Sequence, residues 1–200
     1  AYRTTGVDEN IVNMTYKEVR RLDAGSWYSD EYKGEKVPGL REVLELAQGK
    51  IKLNIELKPA DNGEELARKT VALIEKYNME NDCVITSFSS SALSAAKSCD
   101  ENIRVGYILS AAYGDYYDMK NIDFFSVNAA FLSKRTIDAI HNSGKQVYAW
   151  TVNNKDSIKN LTNKGVDGVI TDNPVLARET IYSRDTSETI VNMIRYVFNQ

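Results

Sequence analysis

Apolar positions along this chain switch repeatedly between the two-residue period of a strand and the three-to-four-residue spacing of a helix. Runs rich in β-branched and aromatic residues recur at Ile51 to Leu57, Cys83 to Ser87, Ile103 to Leu109, Phe124 to Val127, Gln146 to Val152 and Val166 to Thr171. Helical spacing fills the gaps: Gly63 to Tyr77, with Leu66, Val71, Leu73 and Ile74 as its apolar stripe, then Ser90 to Cys99, Ser133 to Asn142 and Lys155 to Lys164. Strands alternating with helices imply right-handed crossovers and a parallel sheet with helices outside it. The run Val166-Asp167-Gly168-Val169-Ile170-Thr171, bounded by Gly165 and Pro174, has the character of a buried parallel strand.

The expected fold class is α/β, a TIM-type (β/α)8 barrel that is incomplete. A closed barrel of this kind needs eight strands and roughly 250 residues, so the chain holds about six of eight βα units. The missing units are expected at the N-terminus, because residues 1–50 contain no convincing strand. There Tyr16 to Leu22 reads as a short helix, Gly25 to Lys36 as a polar loop bearing tyrosines, and Leu40 to Ala47 as a helix entered through Pro38-Gly39. The whole of 1–200 is expected to form a single partial barrel domain with a helical extension at about 175–200. In Asp172-Asn173-Pro174 a capping side chain precedes proline at the first turn, with Asp172 as the expected cap, opening a helix from Val175 to Tyr182. A second start follows at Asp185, after which Ile190, Ile194, Val197 and Phe198 share one face suited to docking on the barrel. The polar face of that helix lacks the lysines of a membrane-surface helix.

Within this pattern, Lys52-Leu53-Asn54-Ile55-Glu56-Leu57-Lys58 carries the candidate chemistry. Alternation puts Leu53, Ile55 and Leu57 on one face and Lys52, Asn54, Glu56 and Lys58 on the other. An antiparallel strand with one wet side would look the same. In a parallel sheet covered outside by helices, however, the polar face points inward, toward the barrel mouth.

Composition narrows the function classes. The chain has 200 residues, 42% of them hydrophobic, enough for one sizeable core. A formal net charge of -3 argues against a nucleic-acid partner. Cys83 and Cys99 fit neither a C-x-x-C motif nor a disulfide framework, and are expected to be reduced and structural. No run approaches the ~18 apolar residues of a membrane span, and the N-terminus has no signal-peptide core. The chain starts without Met, which suggests a processed product or a fragment, and its localisation is open.

Several motifs agree on one family. They are Arg3-Thr4-Thr5-Gly6, Leu22-Asp23-Ala24-Gly25-Ser26, Val37-Pro38-Gly39-Leu40-Arg41-Glu42-Val43-Leu44, Asn54-Ile55-Glu56-Leu57-Lys58, Thr86-Ser87-Phe88, Ala149-Trp150-Thr151-Val152-Asn153, and Gly165 to Pro174. In this order, over residues 3 to about 180, the chain resembles the glycerophosphodiester phosphodiesterases, metal-dependent hydrolases on a (β/α)8 barrel. The resemblance implies hydrolysis of a glycerophosphodiester to glycerol 3-phosphate and an alcohol. It implies that Glu56 is a metal-ligand carboxylate for a divalent cation, Ca2+ or Mg2+, that Lys58 faces the phosphate, and that Phe88 and Trp150 wall the substrate cleft. A core role stands as the alternative for both aromatics, more so for Phe88 than for Trp150.

The family's His-Arg-Gly, Glu-x-Asp and His-Asp motifs are absent, so no catalytic residue is assigned and these 200 residues are expected to be inactive alone. His141 matches neither family histidine and is expected to be structural. The cluster Tyr113, Tyr116 and Tyr117 is open between ligand contact and plain surface. Two alternatives stand beside the enzyme reading. One is a non-catalytic binding domain that self-associates through open sheet edges; the other is a phosphodiesterase for another phospholipid-derived substrate. Membrane contact is expected only if a longer parent carries a membrane segment.

Overall fold

A computed structural model describes residues 1–61, 63–111 and 116–183. The chain enters through two short helices, α1 (Tyr2–Thr5) and α2 (Tyr16–Val19), and then α3 (Leu40–Ala47) leads into β1 (Leu53–Leu57). There follow α4 (Glu64–Lys76), β2 (Cys83–Ser87), α5 (Ser90–Cys99), β3 (Arg104–Leu109), β4 (Phe124–Asn128), α6 (Lys134–Asn142), β5 (Gln146–Trp150), α7 (Lys155–Lys164) and β6 (Gly168–Val169). The strands lie side by side in chain order, β1 to β6, and every pairing is parallel. They form a curled half-barrel with β1 and β6 at its edges.

Helix starts follow local chemistry. Ser89, Ser133 and Asn154 each place a side-chain oxygen on the backbone N–H three residues on, which satisfies a donor the helix cannot pair itself. Thr15 and Glu18 form a full capping box on α2. Gly165 ends α7 in the left-handed region at φ 95°, a conformation that costs glycine little.

The outward faces of the strands meet the helices in two apolar clusters. Leu57, Ile85 and Val105 pack with Leu44, Ala67, Val71, Ile74 and Leu93 in the first. Phe125, Val127, Val147 and Ala149 pack with Ile137, Ile140, Ile158 and Leu161 in the second. On the inner face, Phe124 fills the space above Gly106, where a Cβ would stand 2.1 Å from the ring. Tyr148 lies against Phe124 at 4.6 Å between centroids, its ring tilted by 33°. Small and large residues thus alternate around the inner wall, which lets the sheet curl.

At the N-terminal ends of the strands one device recurs. Asp123 accepts the backbone N–H of Val105 at 2.7 Å and pairs with Lys97 of α5 at 2.9 Å. Asp167 accepts the N–H of Val147 at 2.8 Å and pairs with His141 of α6 at 2.9 Å. Each aspartate ties the start of one strand to the helix behind it. His141 is therefore a structural residue, as the sequence implied, and it lies at the end of the barrel opposite Glu56.

The structure corrects several boundaries. The 51–57 run becomes strand only from Leu53 and the 103–109 run only from Arg104, while in the 166–171 run the strand is Gly168–Val169 and its backbone hydrogen bonds to β5 and Val152 run from Asp167 to Ile170. The helix expected at Tyr16 to Leu22 stops at Val19. The loop Gly25 to Lys36 contains a 3-10 turn at Asp30–Tyr32 and is closed by an antiparallel bridge between Asp23 and Lys36. The helix of residues 174–183 is capped by Asn173, whose side chain accepts from the N–H of Leu176, and not by Asp172. The second start at Asp185 and the face of Ile190, Ile194, Val197 and Phe198 lie outside the described residues. No described helix is long and apolar enough to cross a membrane.

Candidate functional site

The alternation of β1 resolves as a parallel, helix-covered sheet requires. Leu53, Ile55 and Leu57 join the outer cluster, while Asn54 and Glu56 stand on the concave face. Lys58 leaves the C-terminal end of the strand and its Nζ lies 3.3 Å from a Glu56 oxygen. The Glu56 side chain is 34% exposed and that of Lys58 75%. Water screens such a pair, so it is worth at most about 1 kcal/mol and leaves both groups open to a ligand.

Phe88 follows β2 and Trp150 ends β5, two strands that are not neighbours. Their rings nevertheless meet edge-to-face at 6.3 Å between centroids and 87° between planes. The contact spans the mouth over β3 and β4, which is possible only because the sheet curls. Trp150 is held in place by donating its indole N–H to the Ser126 carbonyl at 3.0 Å. Phe88 stays 48% exposed, so it is not a core residue. The four residues singled out in the sequence, Glu56, Lys58, Phe88 and Trp150, all lie at the C-terminal ends of the strands, the end where barrel enzymes keep their chemistry.

Two polar arrangements at this face were not evident in the sequence. Thr86 is 2% exposed and donates its hydroxyl to the Asn54 side-chain oxygen at 2.9 Å. Asn153 brackets the loops after β5 and β6: its oxygen accepts from the Thr171 hydroxyl and the Asp172 N–H, and its amide donates to the Asp172 carboxylate at 2.7 Å. Asp172 is thereby committed to a loop contact. Neither arrangement has a sequence signature, since each depends on which strand end lies beside which.

Other candidates fall away from the mouth. Tyr116 and Tyr117 pack against the outer cluster, Tyr116 edge-on to Phe125 at 5.3 Å, while Tyr113 lies outside the described residues. Asp23 is consumed by its own loop, accepting from the backbone N–H groups of Gly25, Ser26 and Gly34 and from the Ser26 hydroxyl. The Ser26 hydroxyl foremost, with those amides, holds its carboxyl well below the usual carboxylate range. Cys83 and Cys99 are both free thiols.

As a cation ligand Glu56 fits in kind. It is a carboxylate with one oxygen near Lys58 and no hydrogen-bond donor on the other among the described residues, which suits a hard divalent ion. The described residues contain no group of three or more His, Cys, Asp or Glu that could hold a metal, so Glu56 does not complete a cation site among them.

Residues 1–176 match the glycerophosphoryl diester phosphodiesterase family. A glycerophosphodiester phosphodiesterase of Caldanaerobacter subterraneus subsp. tengcongensis is 27% identical over 203 residues, covering 96% of this chain and 76% of that protein. One of Bacillus altitudinis is 27% identical over 180 residues, covering 86% of this chain and 74% of its own length. Among solved structures, an Oleispira antarctica phosphodiesterase in complex with the product sn-glycerol-3-phosphate superposes with a TM-score of 0.80 at 29% identity, over 90% of this chain and 76% of that one.

Proposed function

Because this chain belongs to the glycerophosphoryl diester phosphodiesterase family, a family of phosphoric diester hydrolases, we propose that its half-barrel carries part of a site that hydrolyses glycerophosphodiesters to glycerol 3-phosphate and an alcohol. The reading rests on one observation: Glu56 and Lys58 stand together at the C-terminal end of β1, in the mouth where Phe88 and Trp150 meet. In this reading Glu56 supplies one oxygen ligand to a divalent cation, Ca2+ or Mg2+. When bound, such a cation neutralises the phosphodiester and orients it. Lys58 sets a fixed positive charge against the phosphoryl oxygens. The Phe88–Trp150 pair gives the apolar part of the substrate a surface that excludes water from one side.

The 200 residues alone do not turn over in this reading. Attack on phosphorus and departure of the alcohol need a general base and a general acid. The chain has one histidine, and His141 is engaged with Asp167 at the far end of the sheet. The test is an assay of the chain with Ca2+ or Mg2+ on glycerophosphocholine and glycerophosphoethanolamine, beside titration of sn-glycerol 3-phosphate followed by Trp150 fluorescence in a Trp27→Phe background. Binding that weakens in Lys58→Ala, without turnover, is the expected result. Robust turnover abolished by Glu56→Ala would overturn the inactivity, and binding indifferent to Lys58 would overturn the site.

One observation favours a second reading, in which the chain self-associates. Both β1 and β6 are edge strands, and unpaired edges are surfaces that proteins cover or pair. Sedimentation separates the two, because a well-folded monomer at every concentration counts against self-association.

A further inference from the structure

Ser126 carries a buried hydroxyl whose hydrogen-bonding capacity the protein leaves unused. It is the central residue of β4 and is 2% exposed. Phe125 and Val127 on either side belong to the outer cluster, so alternation turns the Ser126 side chain to the concave face. Its hydroxyl has no hydrogen-bond partner among the described residues, and each polar group nearby is engaged elsewhere. Tyr148, its register partner on β5, directs its own hydroxyl to Gln146 at 3.3 Å. Ile108, its partner on β3, has no polar side-chain atom. Asn128, the next inward residue of β4, accepts the Ala130 N–H at 3.0 Å. The Trp150 indole N–H goes to the Ser126 carbonyl and not to the hydroxyl. Among the described residues, the fully enclosed side-chain polar atoms that lack a partner reduce to the Tyr116 hydroxyl, so the unpaired Ser126 hydroxyl is not sealed in and opens onto the concave face. Buried hydroxyls are in the large majority hydrogen-bonded, and an unpaired one that opens into a cleft marks a place for a ligand group.

The position of Ser126 selects the kind of group. β4 lies three strands from β1, roughly 14 Å along the sheet at the usual strand spacing. A phosphoryl group held by Lys58 leaves Ser126 to the part of the ligand beyond the phosphate. The Trp150 ring is anchored on the same residue. An aromatic surface beside a hydroxyl suits a polyol, whose carbons pack on the ring while its hydroxyls need a partner that both donates and accepts. A quaternary ammonium headgroup offers Ser126 neither. We propose that Ser126 is a specificity-determining residue of this mouth: its hydroxyl hydrogen-bonds a free hydroxyl of the glycerol moiety, while Trp150 carries the glycerol carbons. The inference rests on the reading of the mouth as a glycerophosphodiester site. A protein hydroxyl placed to pair with a ligand hydroxyl discriminates against a ligand that lacks it, because the protein group is then left buried and unpaired.

The test uses the full 200-residue chain as wild type, Ser126→Ala, Ser126→Cys and Lys58→Ala. Each form is titrated with sn-glycerol 3-phosphate and with n-propyl phosphate, which keeps the carbon chain and the phosphate but has no free hydroxyl. Phosphorus NMR of the ligand reads binding, and thermal unfolding checks that each variant is folded. Ser126→Cys nearly keeps the side-chain shape with a much weaker donor and acceptor, so the comparison holds even where Ser126→Ala unfolds. Wild type is expected to bind sn-glycerol 3-phosphate roughly fivefold to tenfold more tightly than n-propyl phosphate. Both Ser126 variants are expected to lose most of that preference by weakening sn-glycerol 3-phosphate alone, whereas Lys58→Ala is expected to weaken both ligands alike. A merely structural role for Ser126 would move the two ligands together. A wild type without preference, or Ser126 variants that keep it or weaken both ligands equally, overturns the proposal, while binding that still depends on Lys58 leaves the site standing. Wild type that binds neither ligand overturns the reading of the site, and the proposal with it.

Discussion

Replacing Gly106 by alanine tests whether the curl of the sheet depends on the inner wall. An ideal Cβ at this position would lie 2.1, 2.3 and 2.7 Å from three ring atoms of Phe124. Carbon atoms in contact prefer about 3.5–4.0 Å, so the ring must withdraw by more than about 1 Å. It has nowhere to go: Phe124 is fully buried, with Tyr148 against it at 4.6 Å and the Arg104 guanidinium at 5.7 Å from its centroid. Overpacking of a well-filled site costs about 1–3 kcal/mol, and a clash this close against a ring held on several sides belongs at the top of that range. With a urea slope of about 2–3 kcal/mol per M for a chain of this size, the unfolding midpoint of Gly106→Ala should fall by roughly 1 M. Equilibrium unfolding in urea, followed by far-UV circular dichroism, measures it. Gly106→Ala/Phe124→Leu, which removes the outer ring atoms, should recover part of the loss. A single variant within about 0.3 M of wild type would refute the claim that glycine is required there, as would a double variant less stable than the two single losses summed.

Two further outcomes follow from groups away from the mouth. Burial pushes the Cys83 thiol up to about 11, so it stays protonated in the folded chain while Cys99 is exposed. A disulfide-exchange reagent should modify Cys99 quickly and Cys83 only at the rate of opening, and two equally fast thiols would contradict the burial. The sign also follows: a raised folded value means that this contribution to stability is intact below the usual thiol range and is lost as pH climbs through about 11. Asp23 has the opposite sign, since its hydrogen bonds depress it, so its contribution is intact above the usual carboxylate range and is lost as pH falls below it. Asp23→Asn should remove that acid dependence and speed exchange of the Gly34 amide, which donates to Asp23 at 2.9 Å; unchanged exchange would show that the loop does not need the carboxylate.

Much of this fold was legible because local chemistry and tertiary packing agree. Leu40–Ala47, Ser90–Cys99 and Lys155–Lys164 end where their spacing says they should, since an amphipathic stripe and a capping residue act within a few residues of each other. Strand ends were harder to place. The Ile51–Leu57 and Val166–Thr171 runs are longer than the strands they form, because pairing depends on the length of the neighbour and not on the apolar run itself. At the helix of residues 174–183 the sequence offered two adjacent capping side chains. The choice of Asn173 follows from Asn153, which reaches across from the end of β5 and engages Asp172.

The candidate site divides along the same line. The spacing of Asn54, Glu56 and Lys58 by itself put a carboxylate and an ammonium on one face of one strand, because side chains alternate along any strand. Tertiary structure alone decided that this face is concave, that Phe88 meets Trp150 across two intervening strands, and that Thr86 gives its proton to Asn54. Those relations join residues about 30 to 60 positions apart, whose distances are set by sheet curl and register and not by any period along the chain.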